Sequence, residues 1–354
     1  MRLALGGAQL RLPTAAMAFA SLMDLSLERI WVAAGGADLL GRLVSSASCP
    51  RLQKLRMRRI YHPVFYQEMR IEADVLSELW MEDVGVLMSL KLRTPRLRVL
   101  HIYISKCSHV ALRISAPRLE EIAISFQQLA YPPRWFEIDG DFPCVRSLKI
   151  CMWSHSSCFT SHREAENDAS MLILKQCSSL TSLDVTLFDQ EVSEEDVDII
   201  KSRVPQLPHI TSLTVNVSNL FERHDFGASL ASLLTRFRNL RHLSLHLPFF
   251  LSLGYNLHEG VDLLCDHTNH WESNEISMAH LQELEFTGFT GITDCELWCI
   301  KAVLRSTKSV RKVAISFNPD CWQHQGKMNT IERMLLRGGM WTSYRDTHIL
   351  TCLR

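Results

Sequence analysis

Thr94-Pro95-Arg96-Leu97-Arg98-Val99-Leu100-His101-Ile102 decides how this chain is read. A Pro-Arg pair introduces apolar positions at Leu97, Leu100 and Ile102, in the pattern apolar-x-x-apolar-x-apolar. The same phrase stands at Cys49–Met57 as CPRLQKLRM and at Ala116–Ile124 as APRLEEIAI. It returns with other openings as FPCVRSLKI, CSSLTSLDV, LPHITSLTV, FRNLRHLSL, MAHLQELEF and KSVRKVAIS. Read this way, the first apolar positions are Leu27, Leu52, Leu76, Leu97, Leu119, Val145, Leu180, Ile210, Leu240, Leu281 and Val310.

A leucine-x-x-leucine-x-leucine phrase at intervals of about 20 to 29 residues is the cadence of leucine-rich repeats. The spacing up to Val145 keeps to that range, and the wider spacing beyond it calls for insertions or longer returning helices. One such unit cannot bury its apolar face alone, so successive units must stack. Alternation at the end of each phrase predicts a short strand with one face buried and the other free. The expected fold is therefore α/β: a leucine-rich-repeat solenoid with a curved parallel sheet on the concave face and helices and loops on the convex face. The expected division is an N-terminal cap at 1–26, a repeat array at 27–270 and a C-terminal region at 271–354.

The composition narrows the function. Thirty-eight acidic and 38 basic side chains cancel to a formal net charge of zero, which argues against a nucleic-acid partner. Eleven cysteines are scattered without a C-x-x-C pair, so neither a disulfide framework nor a zinc ribbon is expected. That usage fits a cytoplasmic or nuclear protein. No apolar run reaches the roughly 18 residues that a membrane span needs. Arg2 and Arg11 precede AAMAFASLM, a run of signal-peptide length, but its small residues equally suit a first helix packed on the end of the array.

Several helices are expected on the return side. Ser193-Glu194-Glu195-Asp196 opens a capped segment that Pro205 ends, and Thr293-x-x-Glu296 forms a capping box ahead of LWCIKAVLRS. ASLASLLTRF, residues 228–237, is a further amphipathic segment. Residues 154–170 and 254–280 are polar and irregular and read as inserted loops.

The block LQELEFTGFTG with DCELWCIKAVLRSTKSVRKVAISFNP, residues 281–319, resembles the FBD region that ends many plant F-box/leucine-rich-repeat proteins: a strand, a Gly-Phe turn, a helix and a second strand. TPRLRVLHIYISKC and ISAPRLEEIAIS are similar to the repeats of the same family, and the resemblance runs from about Leu22 onward. It implies a protein that holds an unknown target protein on its repeats while an F-box docks on the adaptor of an SCF-type ubiquitin ligase. The F-box itself is not found in this chain, since residues 1–21 echo its pattern only at Leu12-Pro13. The adaptor is therefore an expected partner only of a longer form that has the F-box. Without it, the alternatives are a scaffold, a protein that shields its target by competition, or a remnant without function.

No Gly-x-Ser-x-Gly elbow, phosphate loop or His-Glu-x-x-His is present, so no catalytic residue is expected and the chain does not read as an enzyme. No cofactor or metal is expected either. Cys265, His267 and His270, with His258 upstream, match no established zinc spacing. His242 and His246 share a strand face about 13 Å apart, too far to chelate together. Cys295 and Cys299 read as buried thiols on a helix. The free strand face is the candidate site, because its residues are not needed for the core. Its bulky side chains gather in the first strands: Trp31, Arg56, Trp80 and His101 in one column, Arg58 and Tyr103 in the next. Trp, Tyr and Arg anchor protein interfaces more often than other residues. Lys54 and Arg56 also stand where Glu78 and Glu82 can pair with them.

Overall fold

The computed structural model describes residues 2–7, 9–10, 19–32, 36–61, 67–84, 87–104, 109–126, 135–153, 155–156, 161–189, 197–198, 200, 203–219, 226–247, 276–289, 294–307, 309–317, 341–344 and 349–353. They form an α/β protein built on long, open parallel sheets with few helices. The chain divides into two compact units, Met1–Cys151 with Thr160–Leu180, and Met152–Phe159 with Thr181–Arg354.

In the first unit, β1 (Arg2–Gly6), β3 (Asp24–Val32), β4 (Lys54–Tyr61), β6 (Glu78–Val84), β8 (Val99–Ile104), β10 (Glu121–Phe126) and β12 (Ser147–Trp153) are neighbours in that order in one sheet. The short β2 (Gln9–Leu10) also pairs with β3, and every pair is parallel. The repeated phrase makes each strand in the same way. Its first apolar residue closes a turn, as when Leu52 N donates to Cys49 O, Leu97 N to Thr94 O and Leu119 N to Ala116 O. The next two amides then reach one carbonyl of the preceding repeat: Arg98 N and Val99 N both donate to Ser77 O, and Glu120 N and Glu121 N both donate to Arg98 O. These bonds use the polar groups that a buried turn would otherwise leave unpaired. The alternating apolar pair is buried in each strand: Leu55 and Met57, Leu79 and Met81, Leu100 and Ile102, Ile122 and Ile124.

The same geometry corrects the start of the array. Leu22 N donates to Phe19 O, and Leu25 and Leu27 take the registers of Leu55 and Met57. The first phrase is thus Leu22-x-x-Leu25-x-Leu27. It opens at Leu22 instead of the expected Leu27, and the first interval, from Leu22 to Leu52, is correspondingly longer than the one expected from Leu27.

A larger departure concerns the returning segments. The sequence predicts helices and loops there, but β5 (Gln67–Glu72), β7 (Leu87–Arg93), β9 (His109–Ser115) and β11 (Trp135–Asp139) form a second, four-stranded parallel sheet ordered β11-β9-β7-β5. Met69, Ile71, Leu90, Leu92, Leu112, Ile114 and Ile138 are its buried positions. EMRIE, LMSLKLR and HVALRIS alternate apolar with polar residues, and a helix would scatter those apolar side chains around its circumference. Among the described residues, helices stand at the two ends of this layer. Helix α1 (Gly36–Leu43) packs on β5, and α2 (Ser161–Gln176) packs on β11. The helix replaces much of the loop expected at 154–170, whose residues are polar; Glu164 in the first turn of α2 and Lys175 in the last suit the helix dipole.

The second unit carries β14 (Ser182–Asp189), β16 (Ser212–Asn219), β17 (His242–His246), β18 (Glu283–Phe289) and β19 (Lys312–Phe317) as parallel neighbours in that order. β21 (Ile349–Leu353) joins β19 antiparallel, and β20 (Trp341–Tyr344) joins β21 in the same sense. Helices α3 (Phe226–Leu234) and α4 (Asp294–Ser306) contact each other. Strand, helix and strand in residues 283–317 follow the order expected of the C-terminal block. Gly288, however, sits inside β18 rather than in a turn, at φ 75° where the pairing with β19 shifts register. The expected helix from Ser193 falls largely outside the described residues. Val197–Asp198 within it form β15, paired antiparallel with β13 (His155–Ser156).

Candidate partner-binding face

The face of the first sheet opposite its core is built in rows, because parallel strands in register place equivalent residues side by side. One row runs Ser26, Arg56, Trp80, His101, Ala123, Lys149 from β3 to β12. Within it Arg56, Trp80 and His101 form a continuous stack. The Arg56 guanidinium carbon lies 5.5 Å from the Trp80 ring centre, and the Trp80 and His101 centroids are 3.8 Å apart at 48°. A guanidinium over an indole face is attracted by the ring quadrupole, by about 0.5–1 kcal/mol where solvent reaches it.

Ion pairs hold this stack from both sides. In the row before it, Lys54 Nζ lies 2.7 Å from Glu78 Oε1. In the row after it, Arg58 bridges Glu82 at 3.0 Å and Glu28 at 3.8 Å. At the end of the stack, Glu121 Oε1 sits 2.7 Å from His101 Nε2. The charges expected to pair across neighbouring strands do so at Lys54–Glu78; Glu82 takes Arg58, which leaves Arg56 for the indole.

His101 is only 8% exposed, and its Nδ1, like Trp80 Nε1, is buried without a hydrogen-bond partner among the described residues. An unmatched buried polar nitrogen costs about 1–3 kcal/mol. Both orphaned atoms belong to the stack, and both are closed off from solvent.

The six sequence candidates therefore divide. Arg56, Trp80 and His101 come together; Arg58 and Tyr103 stand in the adjacent row, both opposite Glu82. Trp31 does not join them. It pairs in register with Tyr61, ring centres 4.8 Å apart, and is 57% exposed. With the first phrase opening at Leu22, Ser26 takes the place in the Trp80 row, and a backbone feature beyond it turns Trp31 outward. Arg29, Arg59 and Asp83 adopt φ of 51°, 52° and 53°, and the register steps over them from Glu28–Arg58 to Ile30–Ile60. This extra residue in each of three adjacent strands reverses the alternation, so Ile30 and Ile60 are buried while Trp31 and Tyr61 are exposed. Tyr61 is the member of that aromatic pair that sequence reasoning missed.

The remaining chemistry-bearing residues are accounted for by packing. Burial pushes the Cys177 thiol up to about 12 and raises that of Cys49, which makes both poor nucleophiles. Each is the first residue of a repeat turn. Cys299 is buried in α4. His242 stands 3.5 Å from Glu283, and His246 bonds Thr287 and Ser244, so the two histidines turn to separate partners. Asn216 donates to Asp184 at 2.6 Å within the sheet of the second unit. Among the described residues no group of His, Cys, Asp or Glu is placed to hold a metal ion, and no helix is long and apolar enough to cross a membrane. His258, Cys265, His267 and His270 lie outside the described residues. No family model matches the chain, and no curated protein matches it.

Proposed function

We propose that the chain is a non-enzymatic leucine-rich-repeat protein that captures a target protein on the open face of its first sheet, centred on Arg56, Trp80 and His101. The observation that carries this reading is the stack itself. Three large side chains are held in one row by ion pairs on both sides, on a face that the core does not require. Side chains ordered before binding lose little entropy when a partner arrives, so contacts made there convert efficiently into affinity.

Resemblance of the Ala-Pro-Arg-Leu repeats and of residues 281–319 to plant F-box/leucine-rich-repeat proteins supports the cellular role. In a form that also carries an F-box, the face presents its target to an SCF-type ubiquitin ligase in the cytoplasm or nucleus. The test is affinity capture from cell extract read by mass spectrometry, comparing the native chain with the double variant Arg56→Ala, Trp80→Ala. The double variant is expected to lose at least about tenfold of the specific captured protein, since interface hot spots of this kind exceed about 1.4 kcal/mol, while its far-ultraviolet circular dichroism stays native. The same proteins recovered in the same amounts from both would overturn the reading.

A further inference from the structure

The Pro-Arg-Leu opening of the repeats has a second structural result. Arg51, Arg96 and Arg118 each precede the buried leucine of a turn, so all three leave the sheet at the same edge, ahead of β4, β8 and β10. With Arg98, Met23 and Val75 they line a groove of about 540 Å³ at that edge, and no carboxylate lies among its lining residues. The chain as a whole is electrically balanced, so Arg51, Arg96 and Arg118, without a lining acid, are a local segregation of charge.

One arginine of the groove already displays the chemistry. Arg98 grips Glu120 with both arms, Nε to Oε1 at 3.0 Å and Nη2 to Oε2 at 2.8 Å. Those hydrogen bonds hold the Glu120 carboxyl below its ordinary value. Arg51, Arg96 and Arg118 hold no such partner among the described residues. Met23, 41% exposed, supplies an apolar surface beside them.

We propose that this groove binds an extended acidic segment of a partner protein, seating its carboxylates on Arg51, Arg96 and Arg118 and an apolar side chain against Met23 and Val75. Strands about 4.8 Å apart put the Arg96 and Arg118 turns side by side and the Arg51 turn about 10 Å from Arg96; same-face side chains of an extended peptide recur about every 6.8 Å, within reach of arginine side chains. Paired planar forks favour carboxylates over neutral amides. A nucleic acid fits less well, because the overall charge is zero and an apolar surface shares the groove. The inference rests on the partner-binding reading but uses a different surface.

The test is fluorescence anisotropy of the full chain with a fluorescein-labelled decapeptide alternating glutamate and leucine. The glutamine-for-glutamate peptide and a ten-nucleotide oligouridylate serve as the other probes. The glutamate peptide is expected to bind, to weaken with added salt, and to lose about tenfold in affinity in the triple variant Arg51→Gln, Arg96→Gln, Arg118→Gln. If thermal melting shows that the triple variant is unfolded, Arg118→Gln alone is expected to lose about threefold. The variant Arg56→Ala, Trp80→Ala is expected to keep the peptide affinity, so the face and the groove fail separately. Equal binding of the glutamine peptide, equal or tighter binding of oligouridylate, or undiminished binding by the folded arginine variants would each overturn the proposal.

Discussion

Two kinds of repeat share one phrase and return to it by different routes, and the length of the repeat decides which. The short repeats between Leu52 and Val145 each return through a strand of the second sheet. Longer repeats, Leu22 to Leu52, Val145 to Leu180, Ile210 to Leu240 and Leu281 to Val310, contain α1, α2, α3 and α4 in turn. Covering about 18 Å of depth takes about five to six residues of strand but about twelve of helix. A chain segment that returns as helix must therefore be longer, and the helix-bearing intervals are the longer ones. The sheet faces differ as well. β4, β6 and β8 present Arg56, Trp80 and His101, whereas the same row in the second unit reads Asp184, Thr214, Ser244, Glu285 and Ala314. Large side chains mark this row in the first unit and smaller polar ones mark it in the second, whose stacked aromatic pair, Trp153 and Phe188 with ring centres 4.9 Å apart, stands in other rows.

The comparison breaks if the strand returns are only surface connections, and truncating their core positions tests this with the largest expected effect. Ile71 in β5 and Leu230 in α3 are both fully buried. Ile71→Ala and Leu230→Ala are each expected to lose about 2–5 kcal/mol of stability in urea unfolding, since both open a cavity in a packed interior. A cost below about 0.5 kcal/mol at Ile71, the value typical of surface positions, would show that the second sheet does not share the core.

A somewhat smaller effect probes the junction where the first unit changes from helix to strand. Helix α1 approaches β5 so closely that a Cβ on Gly41 would lie 2.2 Å from the Arg70 carbonyl oxygen. Backbone cannot yield as a flexible side chain does, so Gly41→Ala must push the helix away. The expected cost is about 1–3 kcal/mol, read as a lowered urea midpoint at unchanged slope. A neutral or stabilising result, as expected for an ordinary helix glycine, would show that α1 is not seated on the strand layer.

Which of these features the residues announce follows from how local their causes are. The phrase itself is legible because turn, buried leucine and strand all fall within one short stretch such as TPRLRVLHI. The second sheet is legible in principle: HVALRIS and LMSLKLR carry a period of two. The usual helical return of such repeats masks it. The left-handed residues Arg29, Arg59 and Asp83 are not legible. Such backbone at a charged non-glycine residue is set by the register of adjacent strands, and nothing at those positions distinguishes them from neighbouring charges. Trp31 is put in the Trp80 row by reading the first phrase from Leu27; the phrase starts at Leu22, which gives that row to Ser26, and the left-handed residue beyond it turns Trp31 outward beside Tyr61. The α2 helix escapes for a third reason: its apolar side chains are concentrated in its second half, so no amphipathic period spans the segment.

The finest comparison sets the stack of the first unit against a polar pair in the second, and it sharpens what a preordered face means. A double-mutant cycle on Arg56 and Trp80 is expected to give a coupling of about 0.5–1 kcal/mol in the folded chain without any partner, the value for a cation over an indole where water still has access. Single truncations mix packing, desolvation and denatured-state effects, but the cycle cancels these and leaves the contact. A coupling near zero would mean that Arg56 samples other rotamers and reaches Trp80 only transiently, so that ordering it would cost a partner entropy. The Asn216–Asp184 pair supplies the contrast, because its 2.6 Å hydrogen bond to a carboxylate should couple at least as strongly without any ring or guanidinium in the pair. Coupling at both sites would show that order alone does not distinguish the two faces. The distinction then rests on what the ordered side chains present: an indole and a guanidinium in contact in one pair, and an amide and a carboxylate that already satisfy each other in the other.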